Sequence, residues 1–229
     1  MNSIHPTAIV GPYVTLGTGN TLGPFTVVGG VVDIGNNNWI ASGVSIGCPP
    51  EVRSFPHMNW VESSDGPGVS IGSDNVFREG VQIHGGWRDR TRLGSRLFVM
   101  NQAYVAHDCV VEDDVTLASG VAIGGHVRIG RASNLGLGTT VHQRRVIGAL
   151  AMVGMSSVVT RDIPPFMKAF GSPCRPKGVN TVGLARAGLS AQTVAQIEQL
   201  AGVPNYPENL ADLNEVESEL IWYREALTK

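Results

Sequence analysis

The sequence has few charged and aromatic residues and almost no cysteine. Charged residues are 16% and aromatic residues 6% of the 229 residues, whereas a typical soluble domain is about 25% charged. A disordered chain, a coiled coil or a helix bundle is therefore not expected. The three cysteines, Cys48, Cys109 and Cys174, form no CxxC pair, which argues against a disulfide framework or a thiolate zinc site. We expect three reduced thiols.

The sequence also lacks a long apolar run, and its first residues do not resemble an export leader. No apolar stretch reaches the length of roughly 18 residues that a membrane span requires. The first residues, MNSIHPTAIVGP, contain neither a basic start nor an apolar block. We therefore expect a cytoplasmic protein with no integral membrane segment.

Glycine, by contrast, is abundant, and aliphatic residues recur at every sixth position. An amphipathic helix would need spacings of three and four, and a single strand a spacing of two. A spacing of six, often with glycine as the next residue, is typical of a β-helix, because its tight corners leave little room for a Cβ. The residues that keep this spacing are Ile4, Val10, Leu16, Leu22, Val28, Ile34, Ile40, Ile46, Ile71, Phe77, Ile83, Leu93, Val99, Val105, Val111, Leu117, Ile123, Ile129, Leu135, Val141, Ile147, Val153 and Val159.

Three such hexads form one triangular coil, so the hexads predict between seven and eight coils. The pattern resembles the hexapeptide-repeat left-handed parallel β-helix, and the left hand is taken from this resemblance. The predicted fold is all-β, with a β-helix over residues 1–165 and loops at 48–70 and 85–92. A connector and a small α-helical C-terminal region follow at 166–229, with helices at about 190–201 and 207–227.

The net charge of −2 hides an asymmetry along the chain. Residues 128–186 contain nine basic residues and one acidic residue, Asp162. Such a field favours an anionic partner. The charge alone leaves open whether the partner is a nucleic acid, a phosphate-bearing cofactor or an acidic protein.

Four histidines fall on one edge of the predicted coil. They follow the hexad positions Ile83, Val105, Ile123 and Val141, which stack in one column, and they are His84, His107, His126 and His142. Histidine is the commonest metal ligand, but the close histidine pair of β-helical carbonic anhydrases is missing. The alternative is acid–base catalysis, in which Asp108 fixes the imidazole of His107. That contact requires a bend at the coil corner, because neighbours on a strand point to opposite sides.

Ordered motifs along nearly the whole chain resemble the UDP-N-acetylglucosamine O-acyltransferases that begin lipid A synthesis. The motifs are IHPTAIV, QAYVAHDCVVEDDVTLASGVAIGGHVRIG, TTVHQ, RDIPPF and GVNTVGLARAGLS. The resemblance implies a homotrimer with sites between subunits, acyl carrier protein as donor, no bound cofactor, no metal and no nucleic acid. It implies that His107 is the general base, Asp108 its orienting partner and the Gly125 amide the oxyanion donor. The substrate-binding residues that it implies, together with the histidine column, are His84, His126, His142, Gln143, Asn180 and Arg186.

The sequence departs from this family where the acceptor is chosen. Tyr104 replaces a histidine, Val182 an acidic residue and Ala187 an arginine, and Glu51 stands where a Gln-Asp pair touches the sugar. We therefore expect a fatty acyl group, including a 3-hydroxy acyl group, to be transferred to UDP-N-acetylglucosamine or a variant nucleotide-linked amino sugar, by O- or N-acylation.

The residue Met155 stands where long-chain members of the family have glycine in the acyl groove. We expect its side chain to limit the donor to a medium length, the alternative being that Met155 only fills the core. Three other functions stay open: an acetyl- or short-acyl-coenzyme A transferase, a carbonic-anhydrase-like metalloenzyme and a non-catalytic scaffold.

Overall fold

The computed structural model describes residues 1–56, 59–201, 206–210 and 213–228. These residues form short strands separated by tight turns, followed by three α-helices. The strands are β1 Ser3–Ile4, β2 Ile9–Val10, β3 Val14–Leu16, β4 Thr21–Leu22, β5 Val27–Val28, β6 Val32–Ile34, β7 Trp39–Ile40, β8 Ser45–Cys48, β9 Val69–Ile71, β10 Val76–Phe77, β11 Gln82–His84, β12 Thr91–Leu93, β13 Phe98–Val99, β14 Tyr104–Val105, β15 Val110–Val111, β16 Thr116–Leu117, β17 Ala122–Ile123, β18 Arg128–Ile129, β19 Asn134–Leu135, β20 Thr140–Val141, β21 Val146–Ile147, β22 Met152–Val153, β23 Val158–Val159, β24 Met167–Phe170 and β25 Arg175–Val179.

The strands form three sheets that make the three faces of a left-handed parallel β-helix. From β1 to β23 every third strand joins the same sheet, β24 then follows β22 in the first sheet, and all neighbouring strands pair in parallel except β24 and β25. Each of the strands β1 to β23 contains one residue of the sixfold repeat, as the sequence predicts. The repeat positions point inward and, from Leu22 onward, are buried in one continuous aliphatic core.

The coil corners explain why glycine so often follows the repeat position. A Cβ added to Gly23 would lie 2.9 Å from the carbonyl carbon of Ala41 in the next coil, closer than such atoms pack. The left-handed backbone conformation falls two residues later, and non-glycine residues such as Phe25 adopt it there. The predicted steric role of the glycine is confirmed, and the left-handed position is a separate feature of each corner.

Two loops leave the coil, and both are narrower than predicted. The loop predicted at 48–70 begins after Cys48 and ends before Val69, because both residues join strands. It contains a 3-10 helical turn, Trp60–Glu62. The loop predicted at 85–92 ends at residue 90, since Thr91 begins β12 and pairs with Val69.

The coil continues beyond the end of the sequence repeat. Ile163 bridges to Ile147 in parallel, and β24 pairs with β22 in parallel before β25 turns back against it. The division at residue 165 therefore stays a prediction, because β24 extends the first sheet past it.

The C-terminal region contains α1 Thr181–Arg186, α2 Ala191–Leu200 and α3 Glu217–Leu227. The helix predicted at 190–201 is confirmed, with the Ser190 hydroxyl capping it by accepting from the Thr193 N–H at 3.1 Å. A single helix over 207–227 was wrong. Two 3-10 turns, Glu208–Leu210 and Asn214–Val216, precede α3, and the spacing of three between Leu210, Leu213 and Val216 suits that tighter helix.

The helix α3 packs on the outside of the coil. The buried carboxylate of Glu219 accepts from Nε of Arg131 at 2.6 Å, and Trp222 Nε1 donates to Glu112 at 2.8 Å. Both partners lie on the coil, so α3 is fixed beside its third sheet. Among the described residues no helix combines the length and the apolar character needed to cross a membrane.

Candidate active site

The predicted histidine column exists. Ile83 pairs with Val105, Val105 with Ile123, and Ile123 with Val141, in four consecutive coils. The histidines that follow these positions are therefore stacked along one corner, in the order His84, His107, His126 and His142. The column follows from the repeat alone, because the loop between β11 and β12 interrupts a single hexad.

The corner bends between His107 and Asp108 and brings their side chains together. Asp108 has φ +59°, in the left-handed region that aspartate tolerates better than most residues. Nδ1 of His107 lies 2.5 Å from Oδ2 of Asp108, and the Asp108 side chain is fully buried. Burial raises the pKa of Asp108, but hydrogen bonds from His107 and from the backbone N–H groups of Asp89, Arg88 and Trp87 outweigh it and lower the pKa. The carboxylate is ionised, so it accepts a hydrogen bond from the Nδ1–H of His107 and leaves Nε2 of His107 as the basic nitrogen.

His126 completes a compact cluster with this pair. It also occupies the left-handed corner position, with φ +61°, and its Nε2 lies 3.8 Å from Oδ2 of Asp108. The rings of His126 and His107 meet edge to face with centroids 5.2 Å apart. Burial lowers the pKa of His126, with the charges of Arg144 and His107 acting in the same direction and Asp108 opposing them.

The same cluster has the residue types that could bind a metal ion. Among the described residues, His107, Asp108 and His126 are the one group of such side chains close enough to share an ion. The carboxylate of this group already accepts four hydrogen bonds or ion-pair contacts from His107 and three backbone N–H groups. Its lone pairs are thus directed at protein donors, and the geometry suits a proton relay better than a metal centre.

Gly125 lies against the His107 imidazole. A Cβ at this position would be 2.6 Å from Cε1 and 2.7 Å from Nε2 of His107, so only glycine fits. The Gly125 carbonyl accepts from the Arg144 N–H. Within the chain that the structure describes, the Gly125 N–H donates to no backbone or side-chain acceptor, so a donor is available in the residue that packs against the basic nitrogen.

A second cluster, between the coil of His107 and the coil below it, joins His84 to two residues that depart from the family pattern. The Tyr104 hydroxyl hydrogen-bonds to the Glu51 carboxylate, and the Tyr104 and His84 rings are 5.1 Å apart. Nδ1 of His84 lies 2.6 Å from the Pro49 carbonyl. Nε2 of His84 is buried with no hydrogen-bond partner among the described residues.

The remaining predicted residues lie further along the molecule. His142 and Gln143 are exposed in the coil above His126. Asn180 caps α1, accepting from the Gly183 N–H at 3.2 Å and donating to the Leu150 carbonyl at 2.9 Å. The structure thus gives Asn180 a structural role that the sequence motif did not predict.

The other two predicted positions are exposed. Arg186 is an exposed residue in the last turn of α1. Met155 is 70% exposed at a coil corner, so the alternative that it fills the core was wrong. Neither residue contacts the His107 cluster within the single chain, and their roles stay predictions.

Two features of the site were missed from the sequence. A groove of about 660 Å³ runs from Asp108 and His126 to α3, with Arg92, Arg128 and Trp222 among its walls. Trp87, in the loop of residues 85–90, meets the His107 ring edge to face at 6.3 Å. One sign of this contact is present in the sequence. The segment GGWRDR, residues 85–90, interrupts the repeat directly after His84, the first histidine of the column.

Known proteins are similar to this chain in sequence and in fold. A family model described as UDP N-acetylglucosamine O-acyltransferase, domain 2, matches residues 162–203. An acyl-[acyl-carrier-protein]–UDP-N-acetylglucosamine O-acyltransferase of Thiobacillus denitrificans is 37% identical over 220 residues, covering 87% of this chain and 83% of that protein. A protein of the same name from Synechocystis sp. is 38% identical over 73% of this chain, and the match spans 59% of its own length.

A solved structure agrees. LpxA of Acinetobacter baumannii superposes with a TM-score of 0.82 at 26% identity, over 97% of this chain and 96% of that chain. The sequence motifs, the coil and the position of two motifs at one corner, AHD at residues 106–108 and GH at residues 125–126, all indicate the same family. The chain therefore belongs to the UDP-N-acetylglucosamine O-acyltransferase family and is an acyltransferase.

Proposed function

We propose that this protein transfers a fatty acyl group from an acyl-carrier-protein thioester to a nucleotide-linked amino sugar such as UDP-N-acetylglucosamine, with His107 as general base. The observation that carries the proposal is the His107–Asp108 pair beside the Gly125 N–H. The donor and the acceptor are those in the names of the relatives.

The chemistry follows from the tautomer that Asp108 imposes. Nε2 of His107 removes the proton from the acceptor hydroxyl or amine as the acceptor oxygen or nitrogen attacks the thioester carbonyl carbon. The charge that develops on the carbonyl oxygen is stabilised by the Gly125 N–H. The carbon–sulfur bond then breaks, and the imidazolium returns its proton to the departing pantetheine thiolate. Asp108 stabilises the imidazolium throughout.

The acceptor is selected at the second cluster. His84 Nε2, the Tyr104 hydroxyl and the Glu51 carboxylate offer polar groups between the coil of the base and the coil below it. Because Tyr104 and Glu51 replace family residues and contact one another, they change the acceptor site as a pair. His126, His142 and Gln143 line the sugar and the thioester, and Asn180 and Arg186 hold the nucleotide and its diphosphate.

The donor is set by two further features. The basic segment 128–186 attracts the acidic carrier protein. Met155, exposed at its corner, limits the acyl chain, including a 3-hydroxy acyl chain, to a medium length. We also propose that the enzyme works in the cytoplasm as a homotrimer, in which neighbouring subunits complete each site.

The test is a matrix of donors and acceptors. Purified protein is incubated with acyl-carrier-protein and coenzyme A thioesters of several lengths, each with several nucleotide sugars, and products are identified by mass spectrometry. We expect acyl transfer from carrier-protein donors to a UDP-linked amino sugar. Turnover with acetyl-coenzyme A alone would instead support the short-acyl alternative. Light scattering of the same preparation measures the oligomeric state.

A further inference from the structure

The loop of residues 85–90 ends in a set of donors that converge on Asp108. The Arg88 N–H donates to Oδ1 at 2.8 Å and the Asp89 N–H to Oδ1 at 2.5 Å, while the Trp87 N–H reaches both carboxylate oxygens at 3.2 and 3.3 Å. Just after the loop, the Thr91 hydroxyl accepts from the Asp108 N–H at 2.9 Å. We call these groups, from Trp87, Arg88, Asp89 and Thr91, the Asp108 clamp.

The two oxygens of the Asp108 carboxylate have different main partners. Oδ1 accepts from the Arg88 and Asp89 N–H groups, Oδ2 accepts from Nδ1 of His107, and the Trp87 N–H is shared between the two oxygens. Charge-assisted hydrogen bonds of this kind are short and directional. Because the Asp108 side chain is fully buried, the clamp rather than solvent fixes its rotation.

The charged and titratable groups around the pair come from every neighbouring element. His107 and Asp108 are flanked by His126 and Arg144 from the coils above, and by Asp89 from the loop. The groove on the α3 side adds Arg90, Arg92, Arg128, Glu112 and Glu225. Because His107 is the base of the proposed reaction, a changed contact between Asp108 and His107 is readable in the pH dependence of the rate.

We infer that the Asp108 clamp is a positioning element for catalysis, which holds Asp108 so that Asp108 in turn orients His107. This inference rests on the proposed function. The N–H groups and the hydroxyl of the clamp act through Asp108, and of these residues only Trp87 also meets His107, through its ring. Such supporting contacts matter because a catalytic group displaced by about 1 Å can lose on the order of a hundredfold in rate.

A glycine gives the loop the shape that the clamp requires. A Cβ at Gly86 would lie 1.7 Å from the Asp89 carbonyl oxygen and 2.7 Å from its carbonyl carbon, so the turn cannot close around alanine. The neighbouring Gly85 has room, since its nearest contact would be 3.5 Å away, at the Cys48 carbonyl. Gly86→Ala and Gly85→Ala are therefore a matched pair in the same loop.

The experiment compares these two variants in the full-length enzyme, with the best donor and acceptor from the matrix. We expect Gly86→Ala to lower kcat by roughly tenfold to a hundredfold with KM for both substrates within about twofold. We also expect the acid limb of the kcat/KM profile to shift, because the carboxylate that contacts Nδ1 of His107 is no longer held in place. Gly85→Ala is expected to match the wild type in both measurements.

A second variant keeps the inference testable if Gly86→Ala fails to fold. Thr91→Val keeps the size of a buried side chain and removes the hydroxyl that holds the Asp108 N–H. Its control is Thr26→Val, which removes an equally buried hydroxyl that donates to Ala41 far from the site. We expect Thr91→Val alone to lower kcat, by roughly threefold to tenfold, and to move the acid limb in the same direction.

The outcomes separate this inference from the function on which it rests. An unchanged kcat and pH profile in folded Gly86→Ala or Thr91→Val would overturn the positioning role while the wild type still transfers acyl groups. An inactive wild type with every donor would overturn the proposed function instead. In an Asp108→Ala background, the clamp variants should cause no further loss, and an additive loss would contradict action through Asp108.

Discussion

Two clusters on the same corner of the coil differ in how closely they follow the family motifs. The catalytic cluster of His107, Asp108, Gly125 and His126 retains every matched residue and is held by a dense set of short hydrogen bonds. The second cluster, of His84, Tyr104 and Glu51, contains two residues that differ from the family pattern, Tyr104 and Glu51, and these two contact each other. We therefore expect the reaction to tolerate little change in the first cluster, and we expect a concerted change in the second cluster to alter the acceptor.

The strongest test of the comparison removes the base. His107→Ala should lower turnover by roughly a hundredfold or more, the range for losing a general base, while the protein stays folded, since the His107 side chain lies at the corner outside the aliphatic core. Steady-state kinetics and circular dichroism measure the two effects. His5→Ala, an exposed histidine at the other end of the coil, is the control. Near-normal turnover in folded His107→Ala would show that His107 is not the general base.

The second test concerns acyl length, outside both clusters. Each methylene kept out of an apolar groove forfeits about 0.8 kcal/mol, so four methylenes cost roughly 3 kcal/mol, or a preference of about a hundredfold. If Met155 blocks the groove, Met155→Gly should shift the preferred donor to longer chains. Phe25→Gly removes a comparably exposed corner side chain (69% against 70%) near the other end of the coil and is the control. An unchanged length profile would show that Met155 does not limit the acyl chain, and it would leave the acyltransferase assignment intact.

The third test sharpens the comparison directly. Tyr104→Phe removes the hydroxyl that bonds to Glu51, and a lost hydrogen bond to a charged group is worth about 1.5 to 3 kcal/mol. We expect kcat/KM for the nucleotide sugar to fall by about tenfold, with KM for the acyl donor unchanged. Glu51→Gln should act in the same direction, and Tyr13→Phe is a control on an exposed tyrosine. An equal loss for donor and acceptor would place the pair outside acceptor selection.

The sequence predicted the coil almost completely and the site in part. Each repeat position fixes one inward side chain, so strands such as β14 and β17 and the stacking of His107 below His126 follow from spacing alone. The break before α3 was missed, because three-residue spacing is shared by 3-10 and α-helical stripes. The Asp108 clamp could not be predicted, because it is built from backbone N–H groups that exist at every residue and become a site only through loop geometry. The Glu51–Tyr104 contact joins residues 53 apart, and no periodicity links them.

The smallest expected effect concerns the carrier protein. Arg144 is an exposed corner residue, Arg145 pairs with Asp162 at 3.4 Å, and both arginines line the same pocket as His126. Reversing both to glutamate should weaken turnover of the carrier-protein donor several-fold more than that of a free pantetheine thioester, because only the carrier protein presents an acidic surface. The difference should shrink as salt rises, since exposed charges are screened beyond roughly 8 Å at physiological ionic strength. Kinetics with both donors over a salt series measures it, and an equal, salt-independent loss would show that the two arginines act on the site itself rather than on docking.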